Sequence, residues 1–126
     1  MIPLEQQVCS RELAKRLEEL GVRQESVFWW VDRKLMYTGG RASHAQLQGG
    51  IAAFTVAELG EMLPRIITPT THVMDTGKTF NDKWPITYRD QLKYKDCLPI
   101  QEADTEADAR AAILVYLIEN KLITLQ

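Results

Sequence analysis

Cys9, Cys97, His44 and His72 are the only thiols and imidazoles in the chain, and so the natural candidates for nucleophile, base or soft metal ligand. They are scattered. A zinc site draws its Cys and His ligands in short-spaced pairs, and none occurs here. Cys9 stands just before a helix start, where the helix dipole lowers a thiol pKa. Beside Val8, however, it reads as an apolar lead-in to that helix. His44 is expected exposed in a loop and His72 on a strand face. Gly77-Lys78-Thr79 has the ending of a phosphate-binding loop, but His72 occupies the place of that loop's first glycine, and Phe80-Asn81-Asp82-Lys83-Trp84-Pro85 does not open a helix. Gly-x-Ser-x-Gly is absent. Catalytic, cofactor-binding and metal-ligating residues are therefore all assigned as none, and the expectation is a protein that is not an enzyme and carries no cofactor.

Two clusters remain. Glu102, Asp104, Glu106 and Asp108 are paired carboxylates of the kind that bind metal or move protons. They surround a helix N-terminus, where negative charge is stabilising without further function. Trp29, Trp30, Arg33, Lys34, Tyr37 and Arg41 combine rings with cations and form the candidate interaction surface. Single-strand nucleic-acid binders stack bases on such rings and track phosphates with such cations. On alternating strand geometry Trp29 and Trp30 face opposite sides, so at least one belongs to the core.

Three helices must position these residues. Ser10 caps the first, which runs to Leu20 with Leu13, Leu17 and Leu20 on one stripe widened by Ala14. Glu12 and Arg16 have the spacing of an i,i+4 pair, and Gly21 supplies a left-handed stop. Thr55 and Glu58 form a capping box for a helix over Val56–Met62, with Phe54 and Leu59 as its staple. Leu59, Met62 and Leu63 face inward, and Pro64 ends the helix. Thr105 opens the longest helix, with Asp108 at its third position and Asn120 as a left-handed stop. Ala109, Ala112, Ile113, Tyr116 and Leu117 share a stripe that Leu114, Val115 and Ile118 widen, so cover on more than one side is expected.

The strands are shorter. Val27–Val31 and Leu35–Thr38 flank a turn at Asp32 to Lys34 and form a hairpin. Residues 39–50, bracketed by glycine pairs, read as a flexible loop. Ile51–Phe54 enters the second helix as a strand. Thr71–Met74 and Lys78–Phe80 flank Asp75-Thr76-Gly77 and suggest a second hairpin. Ile86–Tyr88 alternates as a strand, residues 90–103 look irregular, and Leu122–Leu125 ends as a short strand or docked tail. The expected fold is α+β: one domain over residues 1–126, with a mostly antiparallel sheet covered by three helices, the C-terminal one longest.

Composition sets the outer limits. The 126 residues are 45% hydrophobic and 25% charged, average for a globular chain able to bury a core without staples. A net charge of −2 gives no global attraction to phosphate backbones or anionic lipid. No apolar run approaches the ~20 residues that span a bilayer. The start, Met1-Ile2-Pro3-Leu4-Glu5-Gln6-Gln7, lacks the basic and apolar regions of a signal peptide. A soluble, cytoplasmic protein without a membrane partner is expected.

Three stretches carry a resemblance: Val8 to Ser26 running into Phe28-Trp29-Trp30, Ala53 to Pro64, and Thr105 to Ala112 running on to Glu119-Asn120-Lys121-Leu122-Ile123. In this order they resemble a group of small uncharacterised proteins found in phages, prophages and environmental bacterial sequences. The likeness covers about half of the chain and implies no activity, cofactor or site residue. It implies a phage-type accessory protein. The expected function is a non-enzymatic protein-interaction module that binds another protein or itself, as a homodimer in the latter case. The alternatives are single-stranded nucleic-acid binding through the aromatic and basic hairpin, and a small enzyme whose site the sequence does not display.

Overall fold

The computed structural model describes residues 3–38, 45–46, 48–67, 72–76, 83–90 and 98–124. A short 3₁₀ turn at Leu4–Gln6 precedes the first helix, α1 (Arg11–Glu19). Ser10 caps it, its hydroxyl accepting from the Leu13 amide at 3.4 Å. Ala14 and Leu17 are buried, whereas Leu13 and Leu20 are partly buried against the core. Gly21, at φ 91°, takes the left-handed stop, and Val22 donates back to the Leu17 carbonyl. The expected Glu12–Arg16 pair does not form. Arg16 turns instead to Glu119, 2.5 Å away, and to its own-helix neighbour Glu19 at 3.7 Å.

β1 (Phe28–Val31) and β2 (Lys34–Tyr37) form the expected hairpin, and Asp32 at φ 56° makes the turn. β3 (Ile51–Ala52) joins the other side of β1, giving a three-stranded antiparallel sheet in the order β2-β1-β3. Of the expected 39–50 loop, residues 39–44 and 47 lie outside the described residues. The described part is held tightly. The Ala45 carbonyl accepts from Gln48 and Gly50, and Ala45 itself is fully buried. A β-carbon on Gly50 would meet the Ala45 carbonyl oxygen at 2.7 Å, so only glycine fits this turn.

Helix α2 (Val56–Met62) begins with the full capping box between Thr55 and Glu58. Phe54, Leu59 and Leu63 are buried, and Met62 packs against them. Beyond it lies a second antiparallel sheet in the order β4-β5-β6-β7: β4 (Ile66–Ile67), β5 (His72–Thr76), β6 (Trp84–Asp90) and β7 (Gln101–Ala103). The strands therefore divide between two sheets rather than joining one. The hairpin expected at Asp75-Thr76-Gly77 is also corrected. Asp75 and Thr76 remain in strand, opposite Thr87 and Ile86, so β5 pairs with β6. The expected strand Lys78–Phe80 lies outside the described residues, as do residues 91–97 of the expected irregular stretch. Residues 101–103, expected irregular, form β7. Their pairing with Trp84, Pro85 and Ile86 is long-range and leaves no local period.

Helix α3 (Glu106–Glu119) is the longest element. Ala107, Ala109, Ala111, Ile113, Leu114, Val115 and Leu117 are all buried, spanning more than one face. The helix packs against α1, α2, β6 and β7. It is thus the main cover of an α+β domain, shared by two helices and two strands. Thr105 caps it as expected, accepting from the Asp108 amide at 3.1 Å. The left-handed stop falls one residue late, on Lys121 at φ 56° rather than Asn120 at φ −95°. Leu122 and Ile123 then dock on the core as a tail. Among the described residues no helix is long and apolar enough to cross a membrane.

Candidate functional site

Strand β1 is apolar on both faces, and the two faces have different fates. Its register places Trp29 beside Met36 and Ala52, and Trp30 beside Leu35 and Ile51. Directly opposed residues share a face. One face therefore carries Trp29, Met36 and Ala52; the other carries Phe28, Tyr37, Trp30, Leu35 and Ile51. Trp29 and Ala52 are fully buried, and the Trp29 indole donates to the Ser26 carbonyl at 3.0 Å. The expectation that at least one tryptophan is core is met by Trp29. Trp30 is only half-buried, but its indole donates to the Cys9 carbonyl at 3.0 Å and its ring packs on the core. Neither indole stands free as a stacking platform.

The outer part of the second face is different. Phe28 and Leu35 are half-buried and Tyr37 is 69% exposed, and none of the three packs into the core. Phe28 thus shares a face with Trp30 and Ile51 but stays outside the core cluster. Phe28 and Tyr37 meet as a tilted pair with ring centroids 5.4 Å apart. Cross-strand aromatic contact of this kind stiffens a hairpin, by roughly 0.2–1 kcal/mol relative to alanines.

Arg33 and Lys34 are exposed at the hairpin turn. With Arg11, Asp32, Leu35, Met36 and Gln48 they line a groove of about 700 Å³. The Arg11 guanidinium is anchored there, Nε donating to the Asp32 carbonyl at 2.7 Å. Of the candidate surface, Arg33, Lys34 and Tyr37 are thus on one exposed edge, with Trp30 partly behind them and Trp29 inside. Arg41 lies outside the described residues. Sequence reasoning missed Leu35 and Arg11 as groove residues. The signal for Leu35 lay in the strand register, which only pairing reveals.

The nucleophile and ligand candidates do not assemble among the described residues. Cys9 is fully buried with Val8, its amide donating to the Phe54 carbonyl, and burial pushes its thiol up to about 12. That opposes the dipole effect and fits the apolar lead-in reading. His44 and Cys97 lie outside the described residues, as does Gly77-Lys78-Thr79; His72 is placed by its backbone, in β5. Among the described residues no group of three or more His, Cys, Asp or Glu side chains could hold a metal ion.

The acidic cluster is more structured than a solvated cap. Asp108 accepts from the Ser10 amide at 2.6 Å, tying the start of α3 to the start of α1. Desolvation raises its pKa above the usual value, against the lowering effect of the Ser10 hydrogen bonds. Glu106 takes Arg110 through two nitrogens, at 3.0 and 2.8 Å, and Asp104 pairs with Lys83. A second groove, of about 1180 Å³, runs between the α1–β1 connection, α2 and the tail, past Ser26, Glu58, Glu61, Leu114 and Ile123. Its central carboxylate is already committed. Glu58 accepts from the Ser26 hydroxyl at 2.7 Å, the Thr55 amide at 2.9 Å and the Val27 amide at 3.3 Å. Comparisons with protein-family models, curated proteins and solved structures each found no match for the chain.

Proposed function

We propose that the protein is a non-enzymatic interaction module, a phage-type accessory protein that binds a protein partner through its β1–β2 hairpin. The observation that carries this reading is the Phe28, Leu35 and Tyr37 surface: apolar, ordered by cross-strand pairing, and outside the core. Apolar side chains left outside the core and gathered on one element mark a contact surface, whereas single scattered ones do not. Aromatic residues of this kind dominate interface energetics. On the same reading the protein works as a soluble cytoplasmic protein, and the free Cys9 suits a reducing compartment. A photo-reactive phenylalanine analogue at Tyr37 tests it in producing cells. A discrete protein adduct at position 37, absent at Glu18 on the outer side of α1, is expected. No adduct at position 37 above that control would contradict it.

A second reading rests on Arg11, Arg33 and Lys34 around the 700 Å³ groove, a local excess of positive charge on an acidic protein. Single-stranded nucleic acid would place phosphates there and a base on Tyr37. A fluorescence titration with oligonucleotides over a salt series decides it. Quenching that weakens with salt supports the reading, and no quenching at low salt removes it.

A further inference from the structure

The edge of β2 carries more information than its side chains. The Thr38 amide donates to the Val27 carbonyl at 2.8 Å, which makes Val27–Thr38 a hydrogen-bonded pair. Hydrogen-bonded and non-bonded pairs alternate along an antiparallel ladder. Trp29–Met36 is therefore bonded, while Phe28–Tyr37 and Trp30–Leu35 are not. The Phe28 carbonyl agrees, accepting from Ala53 on the opposite side of β1. The N–H and C=O groups of Leu35 and Tyr37 consequently point away from β1. β2 is the outermost strand of its sheet, and among the described residues nothing pairs with that edge.

We propose that this edge is a self-pairing site: two copies of the chain join antiparallel through β2, about a two-fold axis at Met36, into a six-stranded sheet. The proposal rests on the interaction reading above and names its partner as a second copy. Register is the first argument. A two-fold axis normal to the sheet keeps like faces together only if it passes through a residue. Centred on Met36, it sets Leu35 against the partner's Tyr37 and Tyr37 against the partner's Leu35. Both are outward-bonding and both lie on the same apolar face outside the core cluster, so four backbone hydrogen bonds form with apolar neighbours. Centring on Leu35 or on Tyr37 would set an outward residue against Arg33 or Gly39 instead.

Charge is the second argument. Arg33 and Lys34 sit at the turn end of β2 and are exposed. Antiparallel pairing sends the two turns to opposite ends of the junction, whereas parallel pairing would stack Lys34 on the partner's Lys34 and is disfavoured by like-charge repulsion. Area is the third. A four-residue edge buries less than the roughly 1,200 Å² where standard stable interfaces begin, so the dimer is a reversible one.

Sedimentation of the full chain from about 10 µM to about 1 mM tests this, that being the range in which weak association is resolved. The expected weight-average mass rises from 14.4 kDa toward twice that value. Leu35→Pro removes only an outward amide, and edge strands tolerate proline, so circular dichroism should show it folded. It should weaken association about tenfold or more. A second measurement uses Leu35→Cys and Tyr37→Cys in a Cys97→Ala background. Oxidation of the mixture should cross-link faster than either variant alone. A chain monomeric throughout, with position 37 still photo-cross-linking to another protein, overturns self-pairing and leaves the interaction reading standing. A monomer with no adduct overturns both. A dimer unaffected by Leu35→Pro, or no preference for the mixed cysteine pair, also overturns self-pairing.

Discussion

Single residues show how thoroughly chemistry has been turned toward burial. Cys9 is the clearest case, with a fully buried sulfur and a pKa near 12. In a Cys97→Ala background the native chain should give no reaction with a thiol reagent at about pH 8, because the thiolate is the reacting form. Unfolding should release one reactive thiol. Rapid native labelling would place Cys9 in an accessible site. Asp108 supports a pH prediction. Burial holds its folded pKa above the ordinary aspartate value, so the native state binds more protons in the window just above that value. Stability from this group therefore falls as pH rises through that window. Asp108→Asn keeps an oxygen to accept from Ser10 but removes the titration. Denaturation midpoints should show the variant gaining on the wild type as pH rises from the ordinary aspartate range. Parallel curves would show that Asp108 does not shape the pH response.

At the scale of elements, much was legible where the signal is local. The α2 capping box, the Ser10 and Thr105 caps and the Gly21 stop depend on side chains reaching backbone groups a few residues away, so spacing alone reveals them. The β1–β2 hairpin was legible for the same reason, through its β-branched and aromatic run and its Asp32 turn. What pairs over distance was not. β4 and β7 are two- and three-residue strands made by partners in another segment, and no periodicity marks them. The candidate site was half legible. Arg33, Lys34 and Tyr37 were named from composition, but which tryptophan is inside, and that Phe28 is not, followed only from register. The capping box also supports a comparison of variants. Thr55→Ala loses one cap and should cost about 1 kcal/mol. Glu58→Ala also strands the Val27 amide and removes the carboxylate that takes the Ser26 hydroxyl, breaking the link from α2 to the start of β1. It should cost more, roughly 1.5–3 kcal/mol, as for hydrogen bonds to a charged group. Equal losses in chemical denaturation would mean that Glu58 serves the helix alone.

For the molecule as a whole, α3 is the common wall. Through α1, α2, β6 and β7 it connects elements that border both sheets, and Leu117 lies fully buried within it. Leu117→Ala should cost about 2–5 kcal/mol, the range for a buried leucine that leaves a cavity. Circular dichroism and tryptophan fluorescence should still report one coincident transition, since Trp29 in the first sheet and Trp84 in the second share that core. Separated transitions would show that the sheets unfold independently. On the reading proposed above, the surface offered to a partner is the β2 edge and the apolar face beside it. Amide hydrogen exchange resolved by residue, in dilute solution, tests that claim most directly. The account predicts slow exchange at Trp29 and Met36, inside the ladder, and fast exchange at Leu35 and Tyr37. Equally slow exchange at all four, at a dilution where the chain is monomeric, would mean that the edge is already covered and would contradict it.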